Sequence, residues 1–326
     1  MGQNFWGDVM KIVLKRIGYG ALALLGILLL FIAISFTNHT IKLKKESAIL
    51  SPPGVMVDVN NHPMHVYTEG SGEHTLVFMS GGGTSSPVLD FKALYSRLSD
   101  QYKIAVVEKA GYGFSATAKV PRDIDTVLEE TRAALTLAGE TPPYVLFPYS
   151  MSGIEALYWA QMNPNEIEAI IGLDPAIPQV YEEYPLPSVG MRSITGLGAR
   201  VGITRFFPAI VNSSAAIEEK RLSSQEEEIY RALFYKKTQT LNMNEEVKMI
   251  RSNAAQVLER GIPDVPMYFF ISNGEELPVE NWQNYLVKYV ESVKNGRYLL
   301  LHNGHYVHDA DPDLIAEESI KFIEEL

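Results

Sequence analysis

Ser150 lies in the stretch Val145-Leu146-Phe147-Pro148-Tyr149-Ser150-Met151-Ser152-Gly153. There an apolar, partly β-branched run meets a helical pattern carried by Ile154, Leu157, Tyr158 and Gln161. A tight strand-to-helix turn pushes such a serine's Oγ out of the sheet and aims the next helix's N-terminus at the reaction centre. The chemistry that suits it is nucleophilic acyl transfer, which needs a base, a group to orient the base, and donors for a developing oxyanion. A helix-capping serine is the plainer reading, so the companions decide. Histidines that could act as the base are His302, His305 and His308, in LHNGHYVHDADPD. Spaced by three, they also suggest a metal cluster, but a loop need not present i and i+3 on one face, and the chain has no cysteine.

The ordered set of short motifs resembles the α/β-hydrolases over roughly residues 55 to 326. Ser150 matches the nucleophile of that family's small-x-Ser-x-small elbow, with Pro148 and Ser152 in the small positions where glycine is usual. Ser152 keeps the turn small, and proline at a strand end loses only one ladder donor. The resemblance implies His305 as base, because Gly304-His305 stands between the last strand and the last helix. His308 is left to support it or to begin that helix. For the acid, two locations stay open. Asp174, in Gly172-Leu173-Asp174-Pro175-Ala176, has a context similar to the acid of some related lipases. The other is the loop Ser272-Asn273-Gly274-Glu275-Glu276-Leu277, where Glu276 or Glu275 would replace the family's usual aspartate.

The same resemblance implies an oxyanion hole from the N–H groups of Met151 and of Gly82, in Ser80-Gly81-Gly82-Gly83-Thr84. Glycines there let amides approach a ligand closely, and no nucleotide-loop pattern follows them. Gly111-Tyr112-Gly113-Phe114-Ser115 resembles the family's structural Gly-x-Gly-x-Ser turn, with Glu108 where aspartate is frequent. The activity implied is a serine hydrolase of a small carboxylic ester or amide, working through an acyl-enzyme and needing no cofactor. One alternative is a proline-iminopeptidase-like aminopeptidase, in which Glu218, Glu219 and Glu226 to Glu228 would hold a free amine. Another is a non-catalytic binding protein that kept the fold.

Strand and helix patterns alternate through the chain, which predicts a mostly parallel sheet flanked by helices. A hairpin is expected around Asn60-Asn61-His62-Pro63, and buried strands at 74–79, 102–108 and 169–173. Helices are expected over 91–98 and 124–138, the latter between Asp123 and Gly139. The rhythm stops near Pro178. From 178 to 262 only helices are predicted, with capping spacing at Ser223/Glu226 and Asn242/Glu245. This segment resembles the helical cap of the α/β-hydrolases. The α/β pattern resumes with strands at 266–271 and 297–301, a helix from Trp282, and a last helix from Pro312. The expected organisation is a tail, span and linker over 1–46, a core of 47–177 with 263–326, and a cap of 178–262.

The N-terminal span is Ile17 to Phe36, apolar and without a charge. About 20 residues at ~1.5 Å rise cross a hydrocarbon core of ~30 Å. An uncleaved anchor is expected rather than a signal peptide, for which Ala33-Ile34-Ser35 is a poor cleavage site. Lys11, Lys15 and Arg16 balance Lys42, Lys44 and Lys45, so basic residues do not orient the span. A short tail before one span more often stays cytoplasmic, and the catalytic domain is expected on the extracytoplasmic side. A net charge of −11 argues against nucleic acid as a partner.

Overall fold

The computed structural model describes residues 2–326, in which eight strands form one sheet. In chain order they are β1 (Val55–Val59), β2 (His62–Glu69), β3 (Thr75–Met79), β4 (Lys103–Glu108), β5 (Tyr144–Pro148), β6 (Ile167–Leu173), β7 (Met267–Ile271) and β8 (Gly296–Leu300). Their spatial order is β1-β2-β4-β3-β5-β6-β7-β8. β1, β2 and β4 pair antiparallel, and every other pairing is parallel. The central strands are apolar without alternation because both faces are covered. Leu76 and Phe78 join one core cluster while Val77 and Met79 join the other, the two-residue period of a strand.

The first hairpin turns on Asn60 and Asn61 alone, at φ 50° and 64°. Positive φ at both positions matches the strands' twist, so His62 and Pro63, expected in the turn, belong to β2. Eight longer helices matter here: α1 (Gly2–Glu46), α2 (Ile124–Leu137), α3 (Ser152–Met162), α4 (Val189–Arg200), α5 (Ser224–Lys237), α6 (Leu241–Arg260), α7 (Trp282–Glu291) and α8 (Pro312–Ile323). Asp123 caps α2 through the Thr126 N–H (3.0 Å), and Ser223 with Glu226 forms a capping box on α5. The expected cap pair of α6 is wrong. Thr240 caps it, and Asn242 is buried, exchanging two hydrogen bonds with the Ala118 backbone (2.9 and 3.0 Å). The helix expected over 91–98 is instead two single turns, Pro87–Asp90 and Lys92–Tyr95.

Between β6 and β7 the described elements are all helical, α4 to α6 and shorter turns. α1 runs past its apolar stretch to Glu46, so residues 42–46, expected as linker, are helical; no proline or glycine interrupts them. Its last turns rest on this helical segment. Ser35 Oγ donates to the Val201 carbonyl (2.6 Å), and Arg205 bonds both Glu46 oxygens (2.7 and 2.6 Å) and His39 Nδ1 (2.8 Å). Phe31 meets Phe206 at 5.4 Å between ring centroids. The most apolar part of α1 is unburied, and the helix is long and apolar enough to cross a membrane.

Candidate active site

β5 delivers Ser150 at its C-terminal end, and α3 begins two residues later. Ser150 has φ 52°, a left-handed conformation that a non-glycine residue adopts only when its surroundings enforce it. Ser152 supplies part of that enforcement. Its Oγ accepts from the Tyr149 N–H (2.9 Å) and donates to the Met79 carbonyl (2.7 Å), tying the turn to β3. Two glycines leave room for it. A Cβ on Gly153 would stand 2.2 Å from the Ala176 carbonyl oxygen, and one on Gly81 would lie 3.0 Å from Ser150 Cβ.

His305 Nε2 lies 2.9 Å from Ser150 Oγ, and its Nδ1 lies 2.6 Å from Asp174 Oδ2. Asp174 ends β6, fully buried, at φ 48°. Its Oδ1 accepts from the Trp282 indole N–H (2.8 Å) and the Ser272 N–H (3.0 Å). The carboxylate is therefore held by donors on both oxygens, which fixes its plane against the imidazole. Glu276 is also beside His305, but its Oε2 accepts from the histidine's backbone N–H (2.8 Å), not from the ring. Glu275 is exposed, as is His302. Trp282 was legible in the sequence only as part of an apolar helix face; nothing in its spacing signals the bond to Asp174.

Gly82, Gly83, Ser150 and Met151 line one wall of a cavity of about 380 Å³. Among the described residues no protein acceptor engages the N–H of Gly82 or Met151. Tyr181, Tyr184 and Met191 line the cavity, with Met243, Val247 and Ile250 of α6, whereas Phe206 and Phe207, each about half exposed, do not. Among the described residues no carboxylate lines it, Glu218, Glu219 and Glu226 to Glu228 included.

A buried polar group stands behind His305. The Tyr149 ring contacts His305 (4.9 Å) and His308 (4.7 Å), and His308 contacts Phe91 (5.0 Å). Burial lowers His308 to about 3, so this imidazole is neutral. Asp90, which accepts from the Tyr230 hydroxyl (2.9 Å), is raised by burial to about 7. A folded-state pKa raised from 3.8 stabilises fully at low pH, and that stability is lost as pH rises through about 7. Wild type is therefore expected to melt at progressively lower temperature across that window. Asp90→Asn should flatten the slope, a difference of at most roughly 4 kcal/mol. Thermal melts of both chains over the pH range measure it.

A second buried network ties α6 to the glycine loop. Arg122, fully buried, donates to Glu246 Oε1 (3.0 and 3.2 Å) and Glu130 Oε2 (2.5 Å). Lys109 bonds Glu155 of α3 (2.5 Å). The Tyr112 hydroxyl donates to Glu246 (2.5 Å) and accepts from the Gly83 N–H (3.3 Å).

No family model matches the chain. It is 43% identical over 242 residues to the "Uncharacterized protein YbdG" of Bacillus subtilis (strain 168), covering 73% of this chain and 74% of that one. Among solved structures it is similar to the enol-lactonase from Burkholderia xenovorans LB400, with TM-score 0.61 and 15% identity over 83% of this chain and 100% of that one. It is also similar to the esterase EaEST from Exiguobacterium antarcticum, with TM-score 0.61 and 14% identity over 83% and 99%.

Proposed function

Because this chain belongs to the α/β-hydrolase fold superfamily, in one family with YbdG, we propose that it is a serine hydrolase cleaving a carboxylic ester or amide. The observation that carries this reading is the relay from Ser150 Oγ through His305 to Asp174, at 2.9 and 2.6 Å, opening on an apolar cavity. Ser150 Oγ attacks the carbonyl carbon while His305 Nε2 takes its proton. The carbonyl oxygen, now negative, turns to the free N–H groups of Gly82 and Met151, each worth ~3 kcal/mol in comparable sites. Met151, the N-cap of α3, brings the helix's positive end to that oxygen. His305 then protonates the leaving group, and water, deprotonated by the same nitrogen, releases the acid from Ser150.

Asp174 acts as the acid, keeping the Nδ1–H tautomer so that Nε2 is free to accept, and Glu276 steadies the loop through the His305 backbone. The helical segment over 178–262 acts as the cap, and its tyrosines and methionines shape the acyl pocket. α1 anchors the enzyme, with the catalytic domain on the extracytoplasmic side. An aminopeptidase would need a carboxylate in the cavity for the substrate's ammonium group, and none of the described residues supplies one there. This favours an ester, or an amide without a free amine.

The test is a fluorophosphonate probe added to the full chain in detergent micelles, with Ser150→Ala and His305→Ala beside it. Covalent labelling of wild type at Ser150, lost in both variants, is the expected result. A folded wild type that stays unlabelled would make the non-catalytic binding protein the better reading.

A further inference from the structure

α4 presents its apolar side outward. It buries Gly196 and Ala199, yet Ile194 is 70% exposed and Leu197 59%. A helix on a water-facing surface ordinarily turns such residues inward. Phe206, Phe207 and Ile210, just beyond α4, are each about half exposed as well, which extends the patch. Clustered exposed apolar side chains mark a surface that something covers.

α1 indicates what covers it. Phe31 and Ser35, which touch Phe206 and Val201, lie in the last turns of the charge-free stretch 17–36. With that stretch in a bilayer, the patch stands where hydrocarbon gives way to headgroups. The same helix also walls the candidate site: Met191, Arg192 and Thr195 of α4 line the cavity above Ser150. One helix thus separates the cavity from the patch.

We propose that the outward face of α4, with Phe206, Phe207 and Ile210, lies in the membrane interface, and that Ser150 acts on an ester of a bilayer lipid that enters past α4. The acyl group would pass from the lipid's oxygen to Ser150 Oγ as the lipid alcohol leaves, and then to water, giving a free fatty acid. This rests on the serine-hydrolase reading and on α1 as an anchor.

The chain has no cysteine, so single labelling sites can be introduced cleanly. Leu25→Cys, Leu197→Cys and Lys294→Cys, each carrying bimane, are reconstituted as full chains in phosphatidylcholine vesicles containing nitroxide-labelled lipid. Lys294 precedes β8, at the sheet edge opposite the elbow, and reports bulk water. Quenching at Leu25 and Leu197 but not at Lys294 is the expected result. Quenching at Leu25 alone overturns the docking surface, and no quenching at Leu25 removes the anchor and the proposal with it. A blue-shifted but unquenched Leu197 probe would put a second copy there and also overturn it.

The substrate arm uses wild type and the Ile194→Asp/Leu197→Asp chain in phosphatidylcholine vesicles that contain diacylglycerol. Hydrolysis of vesicle diacylglycerol should fall about tenfold or more, with p-nitrophenyl butyrate turnover unchanged. Equal rates on diacylglycerol overturn the lipid route while leaving the hydrolase intact. Failure of fluorophosphonate labelling at Ser150 is a separate outcome, which overturns the hydrolase and the lipid route but not the docking seen by quenching.

Discussion

Replacing Asp174 by asparagine should lower kcat on a soluble ester about 10⁴-fold, while Glu276→Gln should stay within about tenfold. The carboxylate accepts from Nδ1, which leaves Nε2 unprotonated toward Ser150. An asparagine amide can turn its NH₂ to Nδ1, moving the ring proton to Nε2 and removing the base. Trp282 and the Ser272 N–H pin the other oxygen, so position would be kept while the tautomer is lost. Glutamine at 276 keeps an acceptor for the His305 N–H. Steady-state kinetics on p-nitrophenyl butyrate decide it: a greater loss in Glu276→Gln would move the acid to the loop after β7.

Arg122→Met is expected to cost about 3–5 kcal/mol of stability, the scale for breaking a buried ion pair from one side. Burial works against the Arg122 charge, but Glu246 and Glu130 beside it hold its pKa above the ordinary arginine value. Without it, both carboxylates stay buried, with Lys109, already paired to Glu155, near Glu246 (3.5 Å) and the His62 ring near Glu130 (3.3 Å). Chemical denaturation of wild type and variant reads the difference. Adding Glu130→Gln and Glu246→Gln to the methionine variant should recover part of it, because the uncompensated charges go. A loss that the added substitutions leave untouched would assign the effect to packing instead.

The alternation of strands and helices, the elbow and the helical stretch after β6 were all legible because each is local, written in period, apolar runs and capping residues. The choice between Asp174 and Glu276 was not. Parallel pairing of β6 with β7 brings Asp174 and the loop after β7 to the same edge of the sheet, so both acids reach one histidine from different sides. Only side-chain direction separates an oxygen on the ring from an oxygen on the backbone N–H. Asn242 misled for a related reason: it has the composition of a cap, but a tertiary partner at Ala118 uses its side chain, and Thr240 two residues earlier caps α6 instead.

The seam between α1 and the helical segment bears on how this protein can be handled. A chain shed or cut after Glu46 would strip Arg205, whose side chain is 4% exposed, of its carboxylate and of His39, leaving its guanidinium over the Tyr235 ring (4.2 Å). It would also uncover Phe206 and the Val201 carbonyl together. The fragment left by such a cut would carry a raw, sticky scar at this seam. Its colloidal behaviour would then reflect the wound rather than the intact chain.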